Sequence, residues 1–322
     1  AKQLRQLDNP PLALRVRLGD EVALGQALGV IADRNKPARE RIELIRAAGD
    51  VDLSRLKATL LGLVQSESDA EVVTAALLVL QRIDDPALGQ AVGGRLADLP
   101  AAARSTAISF LASRAKWSGQ LLDAVESGRL AKRDIAATIV EVLLDHGNKV
   151  ADRTKAAWPS AGQPAGNGTA AEIARVRSVV EGRTGSPYRG RDLYLQRCSA
   201  CHKLFHKGGD IGPNLTAYQR TDLDTLLPAI LDPSREIREG YEHMQVQTRD
   251  GRRLRGFLSD QTNRLLILRG IDGSDTVVEQ AQVKSNRISP RSLMPESLLN
   301  GLTDQQLRDF FAYLRIAQPI RN

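Results

Sequence analysis

The chain has 322 residues, of which 42% are hydrophobic, so it is long enough to form two globular domains. Aromatic residues make up only 4%, which leaves few stacking platforms for single-stranded nucleic acid and no cluster for a sugar site. The net charge is +7, but the basic residues are scattered among 38 acidic ones, so we expect solubility and protein docking, and no nucleic acid partner.

The first part of the chain, from Asp20 to about Ala157, has alanine and leucine at helical spacing, interrupted at proline, glycine or aspartate. Helix starts recur in two series, each with a period of roughly 32 residues. The first series falls near Pro37, Asp69, Pro100 and Ala131, and the second falls near Leu53, Pro86 and Ser118. This pattern resembles HEAT-type two-helix repeats, which implies a short right-handed solenoid over residues 1–157.

A stretch rich in proline, glycine and alanine, residues 158–168, interrupts the periodicity and is interpreted as a linker. A second, mainly helical domain is predicted over residues 169–322. Its helices are predicted at Ala171–Val180, Gly190–Cys198, Asp222–Leu231 and Thr303–Arg315.

Between the last two of these helices, residues 241–289 alternate apolar with polar side chains. The turns Asp250-Gly251 and Asp272-Gly273 are typical of hairpins. The pattern predicts a small antiparallel sheet or barrel inserted into the helical domain. We expect this insertion to be a separable appendage.

The only two cysteines belong to the motif Cys198-Ser199-Ala200-Cys201-His202. Two thiols one helical turn apart can add to the two vinyl groups of haem, and the next residue offers its imidazole to the iron. The motif therefore predicts one covalently attached haem c. The alternatives are a redox pair, a disulfide, or a zinc site using His206. Zinc needs four ligands, and His202 is poorly placed to share one metal with both thiols.

The second domain resembles class I cytochromes c over about residues 188–316, apart from the insertion. Gly190 and Tyr194 match the family's first helix, where the glycine permits close crossing by the last helix, here Asp309–Leu314. The resemblance implies that the carbonyl of Pro213 accepts a hydrogen bond from the axial histidine, which fixes the ring. It also implies that Met294 is the second axial ligand, which raises the reduction potential.

Two other residues compete with Met294 for the sixth position of the iron. Met244 follows Asp232-Pro233 at a spacing also seen in shorter cytochromes, and His243 stands beside it. Met244 lies in a predicted strand, where a methionine is usually core filler, whereas Met294 lies in a loop before the last helix. We therefore expect His202 and Met294 to bind the metal.

The insertion and the sequence Ser292-Leu293-Met294-Pro295-Glu296 closely resemble the haem-binding domains common in planctomycetes and verrucomicrobia. In that family the domain often follows helical repeats and an upstream propeller resembling quinone-dependent sugar dehydrogenases. The resemblance thus implies a fused or partner dehydrogenase that passes electrons to the haem.

With both axial positions filled, the iron has no place for a substrate, so we expect an electron-transfer module more than an enzyme. The alternatives are a haem enzyme with an open sixth position and a repeat scaffold that binds a protein partner. Because c-type maturation occurs outside the cytoplasmic membrane, we expect a periplasmic or similar location. No run of about 18 apolar residues occurs, so no membrane span is expected in this chain.

Overall fold

The computed structural model describes residues 10–159, 168–271, 273–296 and 298–320. Over these ranges the chain is mainly α-helical and carries one small five-stranded antiparallel sheet. None of the helices described is both long and apolar enough to span a bilayer.

The contacts of the chain divide it into two compact units. The first comprises the described residues up to Ile135, together with Ile139–Pro159 and Thr248–Arg253. The second comprises Ala136–Thr138, the described residues from 168 to Gln247, and those from Leu254 onward.

Ten of the helices described precede residue 160. Their bounds are α1 Leu12–Arg17, α2 Glu21–Ala32, α3 Ala38–Gly49, α4 Leu53–Ser66, α5 Ala70–Leu80, α6 Pro86–Arg95, α7 Ala101–Ala112, α8 Ala115–Glu126, α9 Ala137–Asp145 and α10 Asn148–Ala157. Helices α1, α3, α5 and α7 contact one another in succession, and α2, α4, α6, α8 and α10 do the same. The helices therefore lie in two rows, with buried leucine, valine and alanine side chains between them.

Capping residues explain where most of these helices begin. Asp52, Asp69 and Asp85 each accept hydrogen bonds from backbone N–H groups of the first helical turn. Pro37 and Pro100 are the N-caps of α3 and α7. The helix starts predicted at these five places are confirmed.

One predicted helix start is displaced and another is wrong. α8 begins at Ala115, three residues before Ser118, because Arg114 is extended and its carbonyl accepts the first helical hydrogen bonds. A helix predicted near Ala131 begins only at Ala137. The residues between, Lys132–Asp134, form a 3₁₀ turn that ends at an extended residue.

The second unit contains four helices near their predicted positions, namely α11 Gly168–Gly182, α12 Pro187–Arg197, α13 Leu223–Leu231 and α14 Asp304–Leu314. α14 starts with a capping box, in which Thr303 and Gln306 bond each other's backbone N–H groups. The buried core of the unit includes Tyr194, Phe310 and Phe311.

The insertion forms an open sheet and not a barrel, since its strand order is β4-β3-β2-β1-β5. The strands are β1 His243–Thr248, β2 Arg253–Gln261, β3 Leu265–Arg269, β4 Asp275–Glu279 and β5 Val283–Ile288. Leu258 is opposite Leu268, and Leu266 is opposite Val278. Gly251 and Gly273 have positive φ angles, as the predicted hairpin turns require.

Parts of two predicted segments lie outside the described residues. They are residues 160–167 of the predicted linker and Asp272 of the second hairpin turn. Gly168, the last residue assigned to the linker, already belongs to α11.

Candidate functional site

The Cys-x-x-Cys-His motif forms a tight turn directly after α12. The backbone N–H of Cys198 donates to Tyr194 O at 2.9 Å, and that of His202 donates to Cys198 O at 2.9 Å. These bonds continue the helical path for one further turn, which brings the two cysteines and the histidine to one region. Both cysteines are free and partly buried.

Three glycines surround the motif so closely that no side chain would fit. A Cβ atom on Gly212 would lie 2.5 Å from His202 Cε1, and one on Gly209 would lie 2.4 Å from Ala200 O. Gly208 has a φ of +116°, and its Cβ would lie 1.9 Å from His202 O. The loop after the motif can therefore approach the imidazole and its backbone only because these positions lack side chains.

Two backbone hydrogen bonds connect the motif to the loop that carries Pro213. Gly212 N donates to Cys201 O at 2.8 Å, and Leu215 N donates to Lys203 O at 2.8 Å. The two acceptors stand on either side of His202 in the sequence, and the two donors stand on either side of Pro213. His202 Nδ1 lies 2.9 Å from Pro213 O, the hydrogen bond that the family resemblance implies.

This hydrogen bond determines the protonation of the imidazole. A carbonyl oxygen can only accept, so Nδ1 of His202 must carry the proton, and Nε2 of the neutral ring keeps its lone pair. Burial lowers the pKa of His202, although the bond to Pro213 acts in the opposite direction. Among the described residues none hydrogen-bonds Nε2, so this nitrogen is available to a metal.

Burial disfavours the thiolate form of both cysteines. Burial raises the pKa of Cys198 to about 12, against a lowering influence of Arg197, and burial also raises the pKa of Cys201. Catalytic redox pairs need a thiolate, which arises where nearby positive charge lowers a thiol pKa. The environment of these cysteines is unfavourable to that alternative.

All five residues assigned from the sequence to cofactor binding line one cavity. They are Cys198, Cys201, His202, Pro213 and Met294. The cavity has a volume of about 210 Å³, far above the roughly 10–15 Å³ that one water needs in the same measure. Most of its wall is apolar, including Leu226, Ile230, Leu299 and Phe310. An apolar chamber of this kind suits a large, flat, mostly apolar cofactor.

The rival ligands Met244 and His243 are not among the described residues that line this cavity. Met244 packs against the core of the sheet, whereas Met294 packs against the core of the helical unit. His243 is fully buried, and neither ring nitrogen has a hydrogen-bond partner among the described residues. Burial lowers the pKa of His243 to about 4, and the nearby Arg255 contributes to this.

The helix that precedes the motif, α12, is held against α14 by a close crossing. A Cβ atom on Gly190 would lie 1.9 Å from Asp309 O, so the two backbones are nearly in contact. Asp309 also accepts from Arg189 Nε at 2.6 Å and from Ser186 N at 2.7 Å. Tyr194 donates its hydroxyl proton to His202 O at 2.6 Å, which connects this crossing to the motif. The predicted crossing is confirmed.

Two features of the cavity were not predicted. Arg220, 7% exposed, lines the cavity and donates to the carbonyls of Leu215, Thr216, Leu314 and Ile316. A lone arginine in sequence gives no signal for such a role. Phe257 of β2 and Ile271 after β3 also line the cavity, so the insertion is part of the wall and not only an appendage.

The donor set fits haem c, with two thiols, a histidine with a free Nε2 and a thioether around one apolar chamber. Among the described residues, no group of three or more His, Cys, Asp or Glu side chains is arranged so that it could hold a metal ion, so no ligand set for the zinc alternative is found there. A scan against protein-family models gives no match for this chain, and a search of curated proteins finds none with significant similarity.

Proposed function

We propose that the second unit is a c-type cytochrome module that transfers electrons. The observation that carries the proposal is that the five residues chosen from sequence line the same apolar cavity. Cys198 and Cys201 would hold haem c through thioethers, and His202 and Met294 would be its axial ligands. The bound haem would supply one-electron chemistry between ferric and ferrous iron.

The residues of the chain then have three tasks. Pro213 O fixes the orientation of the His202 ring and strengthens it as a donor through the Nδ1 hydrogen bond. Met294 would take the position that a substrate or gas needs. The apolar wall would keep water away from the bound group, which would favour its less charged reduced state and raise the potential. None of these tasks is the making or breaking of a substrate bond.

The family resemblance and the first unit extend the proposal. Two rows of helices are the arrangement expected of stacked two-helix repeats, which supports a HEAT-like solenoid. The domain would receive electrons from a fused or partner dehydrogenase and act in the periplasm or elsewhere outside the cytoplasmic membrane. Tethering of that kind would hold donor and acceptor at a high effective concentration.

Covalent attachment provides the test. The chain is produced in the bacterial periplasm with the c-type maturation machinery, and the purified protein is extracted with acidic acetone. We expect the haem to remain on the wild-type protein and on Ser178→Ala, an exposed control in α11. The double variant Cys198→Ser and Cys201→Ser should carry none. A wild-type protein that releases all its haem would contradict the proposal.

A further inference from the structure

In its described residues, the loop that presents Met294 has few backbone hydrogen bonds of its own. It lies between β5 and α14, outside any helix or strand, and Pro295 offers no N–H group. Met294 N donates to Ser292 Oγ at 3.1 Å, a local serine turn. The loop is therefore held mainly by side chains, among them an ion pair between Arg291 and Glu296 at 3.7 Å and Arg197, which donates to Leu298 O.

A single hydroxyl group contacts the loop on both sides of Met294. Ser292 N donates to Ser234 Oγ at 3.2 Å, although the two residues are far apart in the sequence. The same Ser234 hydroxyl donates to Glu296 Oε1 at 3.4 Å. Ser234 directly follows Pro233, a buried residue that lines the cavity at the end of α13. The hydroxyl thus connects both flanks of the methionine to the cavity wall.

We propose that Ser234 is a positioning residue that sets how firmly Met294 occupies the sixth position. This inference rests on the proposed function, because it takes Met294 as an axial ligand. An exogenous ligand can bind only when Met294 has left, so its apparent affinity depends on how often the loop opens. Removing the bridging hydroxyl weakens the closed loop and leaves the haem attachment unchanged.

The experiment measures imidazole binding to the ferric holoprotein by absorbance. We expect Ser234→Ala to raise the apparent imidazole affinity about five-fold or more, since one net hydrogen bond corresponds to about that factor. Ser292→Ala should act in the same direction. Ser234→Thr keeps a hydroxyl and should restore a value near that of the wild type. The weak far-red band of methionine ligation should bleach at lower temperature in both alanine variants.

Ser259→Ala is the matched control. It removes a hydroxyl that accepts from Arg269 at 3.1 Å in the sheet, away from the Met294 loop. An imidazole affinity of Ser234→Ala within two-fold of the wild type would overturn the inference, as would an equal rise in Ser259→Ala. A wild-type protein without the far-red band but with covalent haem would remove Met294 as ligand, and this inference with it. Absence of covalent haem would instead refute the proposed function itself.

Discussion

An added methyl group at Gly190 tests whether the crossing of α12 and α14 holds the second unit together. In Gly190→Ala the new Cβ would lie 1.9 Å from Asp309 O, 2.6 Å from Asp309 C and 2.8 Å from Tyr313 Cβ. The first two atoms belong to the backbone of α14, so no side-chain rotation can remove the overlap. The two helices must move apart.

The size of this movement gives the expected loss in the free energy of unfolding. Ordinary contacts of a Cβ atom begin at 3.4 Å, so the shortest distance must increase by 3.4 − 1.9 = 1.5 Å. A gap of about 0.5–1 Å already removes a quarter to a half of the dispersion energy of a contact. Tyr194 and Tyr313, whose ring centroids lie 5.5 Å apart across the crossing, would lose contact. Overpacking costs roughly 1–3 kcal/mol, and we expect about 3 kcal/mol here.

Denaturant unfolding followed by far-ultraviolet circular dichroism measures the effect. Both tryptophans, Trp117 and Trp158, lie in the first unit, so their fluorescence reports that unit in the same samples. Gly182→Ala is the matched control, because a Cβ atom there meets nothing within 4 Å. It should be neutral or stabilise by up to about 1 kcal/mol. A loss below about 1 kcal/mol in Gly190→Ala would refute the reasoning.

Three further predictions concern other parts of the second unit. His243 has a folded pKa of about 4 and an ordinary value of 6.5, so between these values the unfolded chain binds more protons and stability falls as the pH falls. This shift destabilises the folded protein by about 2 kcal/mol at pH 5. The denaturant midpoint should therefore drop less between pH 7.5 and pH 5 in His243→Leu than in the wild type. An equal drop in both proteins would count against this prediction. Met294→Ala should open the iron to carbon monoxide and lower the potential, while Met244→Leu changes neither; the reverse pattern would move the ligand into the sheet. Gly212→Ala should lower the yield of covalently bound haem, since its Cβ would press on the imidazole, whereas Gly182→Ala should give a normal yield.

Local chemistry was predictable from the sequence. Helix starts at Asp69 and Pro86 follow from the hydrogen bonding of one side chain or the fixed φ of one ring. The Cys-x-x-Cys-His turn and the bond from His202 to Pro213 also lie within a short segment. The helix starts could be predicted from spacing alone, whereas the bond to Pro213 was expected only from the resemblance to class I cytochromes c.

Features that depend on distant segments could be predicted only in part. The choice between Met294 and Met244 depends on which segment reaches the cavity, and spacing left both open. The contributions of Phe257 and Arg220 to the cavity wall arise from packing between segments far apart in the chain. The sequence pattern also failed near Ala131. It predicted the start of an α-helix there, but the backbone first forms a 3₁₀ turn.

The acceptor for His202 is a main-chain carbonyl, and this affects how the protein can evolve. A carboxylate acceptor could be lost or exchanged by one substitution, but no change of side chain at position 213 deletes its carbonyl oxygen. The paired bonds from Gly212 to Cys201 and from Leu215 to Lys203 are also main-chain bonds, so the spacing between the two segments tolerates sequence drift. A mutation can change the hydrogen bond of His202 to this carbonyl only by moving the loop. The glycines around the imidazole are therefore the sensitive positions. In the proposed haem site, the donor strength of His202 should therefore vary less over evolution than the reduction potential, which other groups lining the cavity remain free to adjust.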